Sequence, residues 1–511
     1  RPCRSYPKDV RTRGTAALVT GIAVLLSGCG LLSGPAPVPP SVGPSVAVPA
    51  GLERFYAQRA DWHDCGGPTC ARIQVPVDYA HPDGPTISLS MTRIAASGDG
   101  ALGTLFINPG GPGGSATDYA RVAKGVIDDS VREAYDVVGV DPRGVGGSDP
   151  IHCLTDAQND SMAATPSDPR TPQEKQALLD ALATPAKGCA DQALVAHLST
   201  QDAARDLDIA RASVGSDTFN YLGKSYGTML GITYAQLFPS RVGRMVLDGV
   251  LPPDLDLIDV TKGQADAFEL ALAHFVADCV THSDCPLSGT SDQALAQLRT
   301  WLASLRDHPL PGKDRDLNQA LATYAVLTQL YFPPDDWSTL RTAVSAAMKD
   351  GNPQPLFEAL DARINRNAQG HYTDNGNDAF YAVTCLDRPY AGSVDETAAL
   401  AEQWKKDDPT FGEGLAWGLL ACANWPAKAD RITTVDARTA NPILVVTSLY
   451  DPATPGDWGL HLGRVIPSGA VITRQGDGHT GYRRGSACID DAVDTYLVTG
   501  TTPGLNATCT D

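Results

Sequence analysis

Phe219-Asn220-Tyr221-Leu222-Gly223-Lys224-Ser225-Tyr226-Gly227 reads as a buried strand, a tight turn and the opening of a helix. The helical run continues from Tyr226 to Phe238. Glycines two residues either side of Ser225 leave room for a sharp turn with unusual backbone angles. Such a turn lifts the serine hydroxyl clear of the sheet, and the helix that starts there points unpaired N–H groups at developing negative charge. The spacing G-x-S-x-G arises often by chance, but the strand–turn–helix setting is what a nucleophilic serine requires. Ser225 is therefore the expected nucleophile rather than a serine that merely fits a tight turn.

Working outward, strand signals surround this stretch. Ile73–Val77 and Ile87–Met91 alternate apolar with small or polar residues, the pattern of antiparallel strands with one covered face. Leu105–Ile107, Tyr135–Val140, Phe219–Leu222 and Met245–Leu247 are apolar throughout, as strands buried on both faces of a parallel sheet are. Asp202–Val214 reads as a helix with Ala203, Leu207, Ala210 and Val214 on one face, ending at Gly215. From about residue 254 to 430 helical patterns dominate, for example Ala265–Val280 and Ser291–Leu305. Strands return at Ile443–Val446 and Val471–Thr473. The economical arrangement is one mostly parallel sheet of eight strands. Its core spans residues 51–253 and 431–511, and a helical lid, 254–430, lies over the carboxyl edge, where loops carry function. No internal repeat is visible.

A serine hydroxyl needs a base, and the usual chain order for this architecture is serine, acid, histidine. His63, His81, His152 and His197 precede Ser225, His274, His282, His308 and His371 fall in the insertion, and His461 sits on a helical pattern. His479 lies in the loop Gly476-Asp477-Gly478-His479-Thr480, just after the last strong strand, and is the expected base. Asp451 follows Ile443–Val446 and is the expected acid that orients the imidazole. Asp248, at the end of Met245–Leu247, is its rival; Asp477 is too near His479 in sequence to orient it easily. An oxyanion hole needs two N–H donors. Tyr226 supplies one, and Gly111 supplies the other from Asn108-Pro109-Gly110-Gly111-Pro112-Gly113-Gly114-Ser115. That glycine-rich loop is not a P-loop, because no Lys-Ser/Thr follows it.

Three stretches together resemble a known family: Asn108–Ser115, Asp141-Pro142-Arg143-Gly144-Val145-Gly146-Gly147-Ser148 and Gly223–Gly227. With the Asp451/His479 tail they resemble secreted tripeptidyl aminopeptidases, prolyl-aminopeptidase-like serine peptidases of the α/β-hydrolase superfamily. The likeness runs from about residue 55 to 510, and the stretch 410–510 is similar to the family's C-terminal module. It implies an α/β-hydrolase fold and release of short peptides, tripeptides above all, from peptide N-termini through an acyl-enzyme on Ser225, without a cofactor. Lys224 departs from the small or apolar residue commoner at that place and is expected to alter the pocket beside Ser225. An exopeptidase needs a carboxylate for the substrate ammonium group; the lid offers Asp254, Asp256, Asp266, Glu269, Asp335 and Asp336, and nothing selects among them. The residues alone reach only acyl transfer to water, so a carboxylesterase or lipase remains the alternative.

Composition fits an exported enzyme. The chain of 511 residues is 42% hydrophobic, enough for a large core, and its net charge of -19 repels phosphate backbones, which argues against nucleic acid as a partner. Arg1, Arg4, Lys8, Arg11 and Arg13 precede an apolar run from Ala16 to Leu26, too short to span a bilayer. The run ends Leu26-Ser27-Gly28-Cys29, which resembles a lipobox, so residues 1–29 are expected to be a signal peptide with Cys29 as a lipidation site and possible membrane tether. Residues 30–50, rich in Pro, Gly, Ser, Ala and Val, read as a flexible linker. Apart from Cys3 and Cys29, ten cysteines remain. Sequence does not fix their connectivity, but the simplest pairing joins neighbours: Cys65/Cys70, Cys153/Cys189, Cys279/Cys285, Cys385/Cys422 and Cys488/Cys509. His63 near Cys65 and Cys70 finds no second ligand pair at zinc-like spacing, so no metal is expected.

Overall fold

The computed structural model describes residues 48–429, 432–504 and 506–510. The expected export segment with Cys29, and nearly all of the linker, lie outside the described residues.

Among the described residues ten strands form one sheet: β1 (His63–Asp64), β2 (Thr69–Pro76), β3 (Thr86–Ile94), β4 (Thr104–Asn108), β5 (Asp136–Val140), β6 (Phe219–Lys224), β7 (Val242–Asp248), β8 (Ile443–Tyr450), β9 (Gly469–Asp477) and β10 (Ala507–Cys509). Their spatial order is β1-β2-β3-β5-β4-β6-β7-β8-β9-β10. The pairings from β1 to β5 are antiparallel, and every pairing from β5 across to β10 is parallel. This is the α/β-hydrolase architecture.

Eight strands are those the sequence patterns indicate; the count of eight is corrected to ten. The additional two are edge pieces of two and three residues, too short to carry a periodic signal. Covalent tethers hold both in place. The Cys65–Cys70 disulfide closes the turn between β1 and β2, and Cys488–Cys509 ties β10 to the helix Ala487–Thr499. Cys153–Cys189, Cys279–Cys285 and Cys385–Cys422 complete the five bridges among the described residues, each between sequence neighbours.

The middles of the parallel strands are largely apolar because helices cover both faces. Phe106, Phe219, Tyr221, Met245 and Val445 join a core with the helices Thr200–Ser213 and Tyr226–Leu237. Their alternate neighbours Leu105, Ile107, Leu222, Val246 and Leu444 pack on the opposite face with Ile489, Val493 and Leu497 of the last helix. Between β7 and β8 the chain is helical, from Leu257–Cys279 to Gly412–Gly418. Leu272, Phe275, Leu298, Leu321, Trp337 and Leu356 give this insertion an apolar core of its own. No helix among the described residues is long and apolar enough to cross a membrane.

The strand order reverses between β4, whose chain continues to β5 on one side, and β6 on the other. In open parallel sheets the crevice beyond the strand ends at such a reversal is where ligands bind. The loop Asn108–Ser115 leaves β4 there, and Ser225 leaves β6 beside it.

Candidate active site

Ser225 has φ 56° and ψ −125°, a conformation that side-chain-bearing residues rarely adopt. Packing holds it there. Its N–H donates to the Asp248 carbonyl at 2.9 Å, and its carbonyl accepts from the Thr228 N–H at 2.8 Å and the Thr228 hydroxyl at 2.6 Å. Glycine is needed at 227 because a Cβ there would lie 2.9 Å from both Asn108 oxygens. Gly110 approaches from the other side: its Cβ would lie 2.4 Å from the Lys224 carbonyl and 3.0 Å from Tyr226 N. The glycine-rich loop and the turn are thus in direct contact.

Both expected oxyanion donors lie at this contact. Tyr226 is the first helical residue, so its N–H has no acceptor within the helix. In the loop, Gly110 N–H donates to Asn108 Oδ1 at 2.9 Å, whereas Gly111 N–H has no acceptor among the described residues. The stretch 141–148 braces the chain just past the loop. Asp141 accepts from the Ser115 hydroxyl and from Thr117 N–H, both at 2.9 Å, while buried Arg143 pairs with Asp206 at 2.6 Å.

Asp451 is almost fully buried, and its carboxylate is crowded with donors. Ala453 N–H (2.9 Å), Thr454 N–H (2.8 Å), the Thr454 hydroxyl (2.9 Å) and Thr480 N–H (2.9 Å) all reach it. His479 Nδ1 lies 2.9 and 3.0 Å from its two oxygens. A carboxylate with these neighbours accepts, so Nδ1 carries the proton and Nε2 is left free for a second partner. Ser225 is partly exposed, and its hydroxyl is not hydrogen-bonded to His479 in this structure; such bonds commonly tighten only when substrate arrives. The two are nonetheless tied to the same anchor: Asp248 takes the Ser225 N–H through its carbonyl and the Gly481 and Tyr482 N–H groups, at 2.7 and 3.0 Å, through its carboxylate.

Asp248 therefore fixes the histidine loop and does not face the imidazole. Lys224 completes the arrangement. Its ammonium group is buried, donates to the Tyr482 carbonyl at 2.5 Å and lies 3.6 Å from Asp248 Oδ2. Burial lowers its pKa, and Asp248 opposes that effect. The expectation that Lys224 shapes the pocket beside Ser225 is corrected: the side chain turns inward toward a buried carboxylate and carbonyl.

Two features of the site had no signal in the sequence. The insertion touches His479 directly, since the Tyr331 carbonyl accepts its backbone N–H at 2.9 Å and the Tyr331 ring lies edge-on to the imidazole, centroids 5.2 Å apart. Asp477, two residues before His479, pairs at 2.7 Å with His274 of helix Leu257–Cys279. Of the insertion's carboxylates, Asp254 pairs with His461 at 2.7 Å, Asp256 caps that helix through Asp259 N–H, Asp266 is engaged by Lys262, and Glu269 is engaged by Arg299 and Thr410. Asp335 and Asp336 are exposed. Among the described residues no three His, Cys, Asp or Glu side chains gather as a metal site.

Residues 408–509 match the family model described as TAP-like protein. Serine protease Hip1 of Mycobacterium tuberculosis is 33% identical over 523 aligned positions, covering 96% of each chain. A protein of the same species named carboxylesterase B is 33% identical over 517 positions, covering 98% of this chain and 99% of its own. Tripeptidyl aminopeptidase of Streptomyces lividans is 32% identical over 483 positions, covering 90% of this chain and 88% of its own.

Proposed function

The chain belongs to the family of α/β-fold serine hydrolases that includes serine protease Hip1 and tripeptidyl aminopeptidase, and from that premise we propose that it is an exported serine exopeptidase releasing short peptides, tripeptides foremost, from peptide N-termini. The observation that carries the reading is the near-complete span of likeness to two proteins named as peptidases, at 96% and 90% of this chain.

In the proposed cycle Ser225 Oγ attacks the scissile carbonyl while His479 Nε2 takes its proton. Asp451 holds the imidazole in the tautomer this needs and stabilises the cation that forms. The Tyr226 and Gly111 N–H groups receive the oxyanion. His479 then gives its proton to the leaving amine, which departs and leaves an acyl-enzyme. Water activated by His479 hydrolyses the ester and restores Ser225. The helical insertion limits how much chain enters. Export is part of the proposal: five disulfides suit an oxidising compartment, and the basic and apolar residues before Cys29 suit a signal peptide that ends in a lipid tether.

The likeness to a protein named carboxylesterase B supports the second reading, an esterase on the same three residues. A panel of peptide amides with free and blocked N-termini, run beside short-chain esters, separates the two. The proposal expects cleavage of free-N-terminal tripeptide amides and little of their blocked counterparts. Hydrolysis confined to esters overturns it.

A further inference from the structure

One helix of the insertion packs against the β4 loop at its start and is linked through Thr200 to Tyr226 at its end. At its start, Gly113 of the β4 loop packs so closely against the helix Gly376–Asp387 that a Cβ on Gly113 would lie 2.5 Å from the Gly376 carbonyl and 3.1 Å from Ala379 Cβ. Asn375, just before it, accepts from Gly146 N–H at 3.0 Å and donates to the Gly144 and Ile151 carbonyls at 2.8 and 3.0 Å. Asp378 accepts from the Cys153 and Leu154 N–H groups at 3.1 and 2.9 Å.

At its end stands Asp387, 4% exposed. Its carboxylate accepts from Thr200 N–H at 3.1 Å and from the Thr200 hydroxyl at 2.5 Å. Thr200 Oγ1 lies 2.7 Å from the Tyr226 phenol oxygen, which is buried too. An ionised carboxylate only accepts, so the direction of the chain is fixed: Tyr226 O–H donates to Thr200 Oγ1, and Thr200 O–H donates to Asp387. Tyr226 is also the residue whose backbone N–H faces the expected oxyanion. The Cys385–Cys422 bridge fixes the same turn of helix covalently.

We propose that Asp387 and Thr200 are positioning residues for the hydrolytic reaction, acting from the insertion through the Tyr226 side chain to aim the Tyr226 N–H at the developing oxyanion. The inference rests on the reading of Ser225 as nucleophile. It explains why a buried carboxylate, whose pKa burial raises to about 6 against the pull of Thr200 and Arg388, is placed behind the turn. It also makes the insertion part of the catalytic geometry in addition to a cover. A donor that exists only to meet the transition state changes kcat and not ground-state binding.

The test is a set of variants in the full chain. Thr200→Val cuts the chain in its middle with little change of shape, and Thr200→Ser keeps the hydroxyl. Tyr226→Phe cuts it from the other side while leaving the backbone N–H. The expected result is a kcat about ten- to hundred-fold lower in Thr200→Val and Tyr226→Phe, with KM within about two-fold. Affinity for a peptide aldehyde, which forms a tetrahedral adduct, falls in parallel. Thr200→Ser restores both, and the double variant loses no more than either single one. If Thr200→Val is merely less stable, with wild-type kcat per folded molecule, the positioning role is overturned. If it keeps wild-type turnover while Ser225→Ala is inactive, the role fails and the nucleophile stands. Turnover in Ser225→Ala ends the underlying reading itself.

Discussion

Replacing Lys224 with methionine removes a buried cation and leaves its partners in place. The ammonium group satisfies the Tyr482 carbonyl at 2.5 Å and stands 3.6 Å from the Asp248 carboxylate, whose other donors are the Gly481 and Tyr482 N–H groups. Deleting one member of a buried pair costs about 3–5 kcal/mol, because the remaining charge stays out of water. Asp248 keeps two backbone donors, and the cation it loses is already disfavoured by its own burial, so the lower end, about 3 kcal/mol, is expected here. The damage falls on residues 481–482, close in the chain to His479. A shift of about 1 Å in His479 lowers turnover by up to about a hundred-fold. Urea unfolding followed by tryptophan fluorescence measures the first effect, and the rate of fluorophosphonate labelling measures the second. Lys224→Met with Asp248→Asn recovers only part of the stability, since the stranded charge is gone but the asparagine oxygen accepts from just one of the two N–H groups. A Lys224→Met protein within about 1 kcal/mol of wild type and labelled at the wild-type rate refutes the view that this pair holds the histidine loop.

Two further outcomes are expected from the site. Asp451→Asn, which presents an amide where four donors besides His479 converge, is expected to fold and to lose about 10⁴-fold in kcat, measured on a tripeptide amide, because the imidazole is no longer held with Nδ1 protonated. Asp387→Asn changes how stability depends on pH. The native carboxyl titrates at about 6, above a free aspartate near 4, so the folded state holds its proton more tightly than the unfolded chain. Relative to the variant, wild type is therefore expected to lose stability as pH rises from about 4 to about 6 and to level off above that; a difference that grows with pH contradicts this.

Much of this was legible in the sequence. The eight principal strands each carry an apolar or alternating run, and the turn around Ser225 carries Gly227, which close packing against Asn108 demands, and Gly223, where a Cβ would meet the Gly227 carbonyl. His479 and Asp451 could be singled out because strand signals immediately precede them and the other histidines fall elsewhere in the chain. What stayed hidden depends on contacts between distant positions. Strands of two and three residues at the sheet edges leave no period, and their disulfides, not their composition, hold them. Nothing local in Lys224 says that it turns inward to Asp248, nor in Tyr331 that its carbonyl meets the His479 N–H. Asp387 sits in an ordinary helical pattern, and only the packed fold sets it behind Tyr226.

The central claim is that Ser225 is the reacting nucleophile, with His479 as its base. Treatment of the folded protein with a fluorophosphonate, followed by peptide mapping, tests it most directly. One adduct is expected, on Ser225, formed at a rate that collapses in His479→Ala. Modification of another residue instead, or none in a protein that still hydrolyses its substrate, contradicts the account.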